Sequence, residues 1–135
     1  MITASATPFK ILIVEDTLIA ARLAEMAFQM KGCITVLAKS GEEALEKIDA
    51  SFHFILMDLG LPKMNGFETA DAIRHLACLN TSSIPIYALT THDKDQSMLE
   101  ALHKAGMNGF FVKPLTSKIR DFVLEKTRIA WACHH

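Results

Sequence analysis

The chain has 135 residues, half of them hydrophobic and 21% charged, with a formal net charge of -1. That length suits one domain around a single core, and the near-zero charge argues against nucleic-acid binding, which shows as a strongly basic domain. No apolar run reaches the roughly 20 residues of a membrane span, and "MITASATPFK" lacks the charged start and apolar stretch of a signal peptide. The three cysteines, Cys33, Cys78 and Cys133, are odd in number and show no CxxC spacing. They read as reduced, mostly buried thiols of a cytoplasmic protein.

In chain order, residues 1–8 read as a flexible segment ahead of a domain spanning 9–133. The run 9–14 is a strand ended by the acidic pair Glu15 and Asp16. Residues 17–31 form an amphipathic helix carrying Ile19, Leu23, Met26 and Met30 at three- and four-residue spacing, stopped by Gly32. A second strand at 34–38 precedes a short helix at 41–48 with Ala44, Leu45 and Ile48 inward. The third run, 52–57, leads into Asp58. After the turn pair Asn65-Gly66 comes a helix at 67–79. The fourth run is 84–89, ended by Thr90, and a helix at 93–105 stops at Gly106. The fifth run, 110–112, ends in Lys113-Pro114. The last helix, 115–132, puts Ile119, Phe122, Val123 and Ile129 on one stripe, and His134 and His135 read as an exposed tail.

Three of the runs are almost wholly apolar, as strands covered on both faces are. Strand and helix alternating five times predicts a doubly wound α/β sheet with right-handed crossovers and five helices. For five strands the expected order is 2-1-3-4-5, with ligands at the switch point between strands one and three. Those two strands end in Glu15-Asp16 and in Asp58.

Clustered carboxylates repel one another unless a cation lies among them. Hard oxygen ligands select Mg²⁺, with Mn²⁺ an acceptable substitute. The carbonyl of Gly60, in the loop after Asp58, is a candidate backbone ligand. An aspartate carboxylate can attack phosphorus to give an acyl phosphate. Phosphoryl transfer needs positioning and charge neutralisation above all, which Mg²⁺ and Lys113 would supply, with the Thr90 hydroxyl within reach of a phosphoryl oxygen. Pro114 biases Lys113 towards extended backbone and suggests an unusual peptide geometry. Each feature alone has a bland reading: Asp16 as a helix N-cap, Lys113 as a surface lysine, Phe110 and Phe111 as core. Their coincidence at the ends of four strands favours a site.

The segments "ILIVED", "ILMDLGLPKMNGFE", "IPIYALTT" and "AGMNGFFVKPL", in this order and spacing, resemble the receiver domain of two-component signalling, the response-regulator fold, over residues 9–123. The flavodoxin-like order 2-1-3-4-5 is itself a mark of that family, so it rests partly on the resemblance. The resemblance implies that Asp58 is the phosphoacceptor and that Glu15, Asp16 and Asp58 with the Gly60 carbonyl hold Mg²⁺. It implies that Lys113 contacts the phosphoryl group, that Thr90 is the switch hydroxyl and that Phe110 is the switch aromatic. Gly60 and His92 fall where side chains tune hydrolytic water. The donor would be a histidine kinase or a histidine phosphotransfer protein. The output would be a downstream protein target, with a dimer through the fourth helix, fifth strand and fifth helix in view. No direct nucleic-acid or membrane contact is expected. The chain ends soon after its last helix, so it acts alone or is the receiver of a longer protein such as a hybrid sensor histidine kinase.

Two rival classes are weaker. Aspartate-nucleophile phosphatases of the haloacid-dehalogenase type place a second aspartate two residues after the first, where this chain has Gly60. A phosphorylation-independent interaction module of degenerate receiver type would be expected to lack an acid or the lysine, and here the set is whole. No GxxxxGK[ST] phosphate loop occurs.

Overall fold

Five parallel strands form one sheet in the order β2-β1-β3-β4-β5. They are β1 (Lys10–Val14), β2 (Ile34–Ala38), β3 (Phe54–Asp58), β4 (Ile86–Thr90) and β5 (Gly109–Val112). The computed structural model describes residues 8–91 and 95–134. The expected flexible segment, apart from Pro8, lies outside the described residues, as do His92, His135 and the side chains of Cys133 and His134. Helices α1 (Leu18–Gln29), α2 (Gly41–Lys47), α3 (Gly66–Arg74), α4 (Leu79–Ser82), α5 (Gln96–Lys104) and α6 (Ser117–His134) connect and follow the strands. The expected order is therefore found, but the described residues hold six helices rather than five. The extra one is the single turn α4, a stretch expected to be the end of the third helix and a loop. Helix α3 stops at Arg74, and Cys78 starts a new turn.

Alternation along the strands divides the core into two layers, as the period of two requires. On one face Leu12, Ile55, Met57 and Ile86 pack under α2, α3 and α5, which contribute Ala44, Ile73 and Leu102. On the other, Ile11, Ile13, Leu56 and Leu89 pack under Phe28 of α1 and Val123 of α6. Strands β3 and β4 are buried at every position, which is why "FILMD" and "IYALT" read as continuous apolar runs. The helix starts are locally specified. Ser40 accepts from the Glu43 N–H, Asp95 from that of Met98, and Asn65 and Glu68 form a reciprocal capping box. Gly32 and Gly106, expected to stop helices, adopt φ of 81° and 82°, the left-handed conformation that favours glycine.

Two helical faces are corrected. The α1 stripe Ile19, Leu23, Met26 and Met30 faces outward, at 73%, 62%, 59% and 79% exposure. The buried residues of α1 are Ala21, Ala24 and Phe28. Small alanines let a helix lie close over a sheet, and burying Phe28 contributes about 2–3 kcal/mol. In α6, Val123 is fully buried and Ile119 packs against the core, but Phe122 and Ile129 are more than half exposed. Leu45 and Ile48 pack inward with Ala44 as expected. Cys33 is buried but Cys78 is exposed, so the expectation of mostly buried thiols holds for one of the two described. Phe110 and Phe111 are half-buried and pack against opposite core layers. At the strands' N-terminal ends, the His53 ring lies 5.0 Å from both Phe9 and Trp131.

Candidate functional site

Strand β1 pairs in parallel with both β2 and β3, so it is the sheet's switch point. The connection after β1 runs to α1 on one face, and that after β3 to α3 on the other. The two chains diverge at the carboxyl ends of the strands and leave a crevice there. Into it the strands deliver the expected residues. Glu15, Asp16 and Asp58 offer carboxylate oxygens that all lie within 4.8 Å of one another. Lys113 Nζ sits 2.9 Å from Glu15 Oε1 and 3.2 Å from Asp58 Oδ1. Its strand is held in place by the Lys113 N–H, which donates to the Thr90 carbonyl at 2.7 Å. The Lys113–Pro114 peptide is cis, the unusual geometry the proline suggested.

Each carboxylate is differently held. Glu15, 5% exposed, accepts from Lys113 and, through Oε2, from the Thr17 N–H at 3.2 Å. Asp58, 8% exposed, accepts from the Gly60 N–H at 3.1 Å. Asp16 is exposed. It does not cap α1, whose N-cap is Thr17, so the bland reading of Asp16 fails. Thr90 is buried at the end of β4. Phe110 lies beside Ala88 in the β4–β5 register and packs against the core layer of α3 and α5.

Burial pushes the Glu15 carboxyl above its ordinary range, against the opposing pull of Lys113 and the Thr17 N–H, and the charge of Asp58 adds to the rise. Burial also pulls on Lys113 in the direction of neutrality, but the bond to Glu15 and the charges of Asp58 and Glu15 outweigh it and hold the ammonium above its ordinary value. The site thus keeps its cation and disfavours the charged form of Glu15. One ammonium among three carboxylates leaves a negative excess in a partly desolvated crevice. An all-oxygen donor set with one solvent-facing member fits a small hard dication that retains waters.

Lys113→Ala is expected to lower stability by about 2 kcal/mol at neutral pH, because it strands Glu15 without its cation. Since the folded value of Lys113 is raised, its contribution is complete below the ordinary value of 10.5 and disappears as pH rises through the folded one. Urea unfolding of both proteins from neutral to strongly alkaline pH checks this: the gap should be constant, then close.

One feature escaped sequence reasoning. An apolar cleft of about 360 Å³ runs from Glu15 and Lys113 between α1 and the segment after β5, lined by Ile13, Leu23, Ala24, Leu89, Pro114 and Leu115. The available signal was the surplus of large apolar residues on α1 over what one buried face can use.

A doubly wound five-stranded sheet with an acidic crevice and a strand-end lysine at its switch point defines a phosphoryl-signalling module of the flavodoxin-like class. The family model for the response regulator receiver domain matches residues 11–122, and the chain belongs to that family, a signalling domain of two-component phosphorelays. It is 34% identical to the chemotaxis protein CheY1 of Helicobacter pylori, over 86% of this chain and 94% of that one. It is 36% identical to the response regulator mcs4 of Schizosaccharomyces pombe, over 93% of this chain but only 28% of that protein's length. Among solved structures it resembles the receiver domain of a sensor histidine kinase from Pseudomonas aeruginosa, which carries a magnesium ion in its active-site cleft. The TM-score is 0.76 and the identity 29%, over 89% of this chain and 97% of that one. Among the described residues no helix is long and apolar enough to cross a membrane.

Proposed function

We propose that residues 9–133 form a cytoplasmic receiver whose Asp58 accepts a phosphoryl group from a phosphohistidine on a histidine kinase or histidine phosphotransfer protein. The observation that carries this reading is the Lys113 ammonium lying between Glu15 and Asp58 at 2.9 and 3.2 Å, with Asp16 beside them. In the transfer, a carboxylate oxygen of Asp58 forms a bond to phosphorus as the bond from the donor's imidazole nitrogen breaks. The imidazole leaves and takes up a proton from solvent. Glu15, Asp16, Asp58 and the Gly60 carbonyl would hold Mg²⁺, or Mn²⁺ in its place, which would supply charge neutralisation for the phosphoryl group. Lys113, kept charged by its carboxylates, neutralises a phosphoryl oxygen. The Gly60 N–H and Lys113 both engage Asp58 Oδ1 and so orient the carboxylate before the donor arrives.

The outward apolar stripe of α1 supports a helical donor. It starts beside the crevice, and Leu23 belongs to both the stripe and the cleft that ends on Glu15 and Lys113. After transfer, the Thr90 hydroxyl engages the phosphoryl group and Phe110 moves into the space released. That shifts the surface of α5, β5 and α6, the fourth helix, fifth strand and fifth helix of the sequence reading, between two arrangements. This surface would meet the downstream protein or a second copy.

The test is incubation with Mg²⁺ and acetyl phosphate, read by intact mass. Gain of one phosphoryl group, lost on chelation of Mg²⁺, is the expected result. Failure to gain any, with Mg²⁺ binding also absent, would favour the phosphorylation-independent module. Gly60 offers no side chain to orient a hydrolytic water, and His92 is the other tuning position. Gly60→Asn is therefore expected to speed decay of the phosphorylated protein several-fold; unchanged decay would remove Gly60 from that role.

A further inference from the structure

The geometry points to Gly66 as a positioning residue of the phosphoryl site: its missing side chain lets the first turn of α3 lie against the end of β3 and fixes Gly60 beside Asp58. The inference rests on reading Asp58 as the acceptor and the Gly60 carbonyl as a metal ligand. A Cβ at Gly66 would stand 2.6 Å from the backbone oxygen of Asp58 and 2.9 Å from Leu59 Cα, with Leu59 Cδ2 at 3.1 Å. The two closest of these atoms belong to the main chain, so rotation of a side chain gives no relief.

Neither neighbour of that contact is free to retreat. The start of α3 is held by the Asn65–Glu68 capping box and by the Thr69 hydroxyl, which donates to the Asn65 carbonyl at 2.8 Å. The loop between β3 and α3 is closed at its base by the Gly66 N–H, which donates to the Leu59 carbonyl at 3.3 Å. Leu59 and Leu61 bury their side chains and anchor the loop to the core. Gly60 lies within this closed ring, and its N–H donates to Asp58 Oδ1. A methyl group at position 66 must therefore displace the Asp58–Gly60 backbone itself, and misplacement of about 1 Å in such a site can reduce function by up to about 100-fold.

The contrast is Asn65→Ala. It removes the cap and weakens the same helix start but adds nothing to the Asp58 contact. Val123→Ala, in the opposite core layer, lowers stability with no contact to the loop. Two readouts separate positioning from mere destabilisation: Mg²⁺ affinity by calorimetry, and amide exchange of Gly60 by NMR without metal. Gly66→Ala should weaken Mg²⁺ binding by roughly tenfold or more and accelerate Gly60 exchange. Asn65→Ala and Val123→Ala should leave affinity within about twofold, their effect being on stability. Should Gly66→Ala fold poorly, all four proteins are compared in trimethylamine N-oxide, which favours the folded state. Wild-type affinity and Gly60 exchange in Gly66→Ala, or an equal loss in Asn65→Ala, would overturn the inference. Absence of Mg²⁺ binding by the wild type would overturn the receiver reading beneath it.

Discussion

Asp58→Asn is expected to abolish the Mg²⁺-dependent gain of a phosphoryl group from acetyl phosphate, lowering the rate by at least roughly 1,000-fold, or about 4 kcal/mol of barrier. An amide is not a competent nucleophile towards phosphorus. Among the described residues no other carboxylate is placed to substitute: both oxygens of Glu15 are engaged, one by Lys113 and one by the Thr17 N–H. Asp16 is nearby but solvent-exposed, outside the contacts that orient Asp58. The variant should remain folded, since an amide oxygen can still accept from Gly60 and one of three mutually repelling charges has gone. Intact mass and peptide mapping provide the measurement. A phosphoryl group still arriving at the wild-type rate would remove Asp58 from the role of acceptor.

The second large effect concerns recognition of the donor. Leu23→Ser combined with Met26→Ser should slow transfer from a phosphohistidine protein by roughly 100-fold while leaving phosphorylation by acetyl phosphate within about twofold. Two large side chains brought out of water at an interface are each worth about 1.5–3 kcal/mol. A small donor makes no use of them. Both residues are about 60% exposed, so the fold should be nearly indifferent to their loss. Equal loss with both donors would mean that the changes damage the phosphoryl site, and no loss with either would free α1 from any part in docking.

The helix containing those residues shows where the sequence was legible and where it was not. Strand order and the meeting of Glu15, Asp16, Asp58 and Lys113 were readable because parallel strands covered on both faces are apolar throughout, and polar residues at their ends stand out. The period of α1 was readable too, but its orientation was not. Periodicity reports that one face differs from another, and the three- and four-residue spacing of Ile19, Leu23, Met26 and Met30 pointed to them as the apolar, inner one. Close approach to the sheet instead selected Ala21 and Ala24. The same error recurs in α6, where Phe122 packs at the margin, 5.9 Å from Phe111, and stays half exposed. The short turn α4 had no legible signal, since four residues are too few for a period. The role of Gly66 was hidden for another reason: a contact that forbids a side chain leaves no side chain to read.

Trp131, the single tryptophan, has a practical consequence. Its ring packs at a tilt against that of His53, just before β3, whereas the acidic crevice lies at the other end of that five-residue strand, about 16 Å away at 3.3 Å per residue. Intrinsic emission from this indole therefore reports how the end of α6 seats on the base of the sheet. It should be nearly blind to ion occupancy at Asp58.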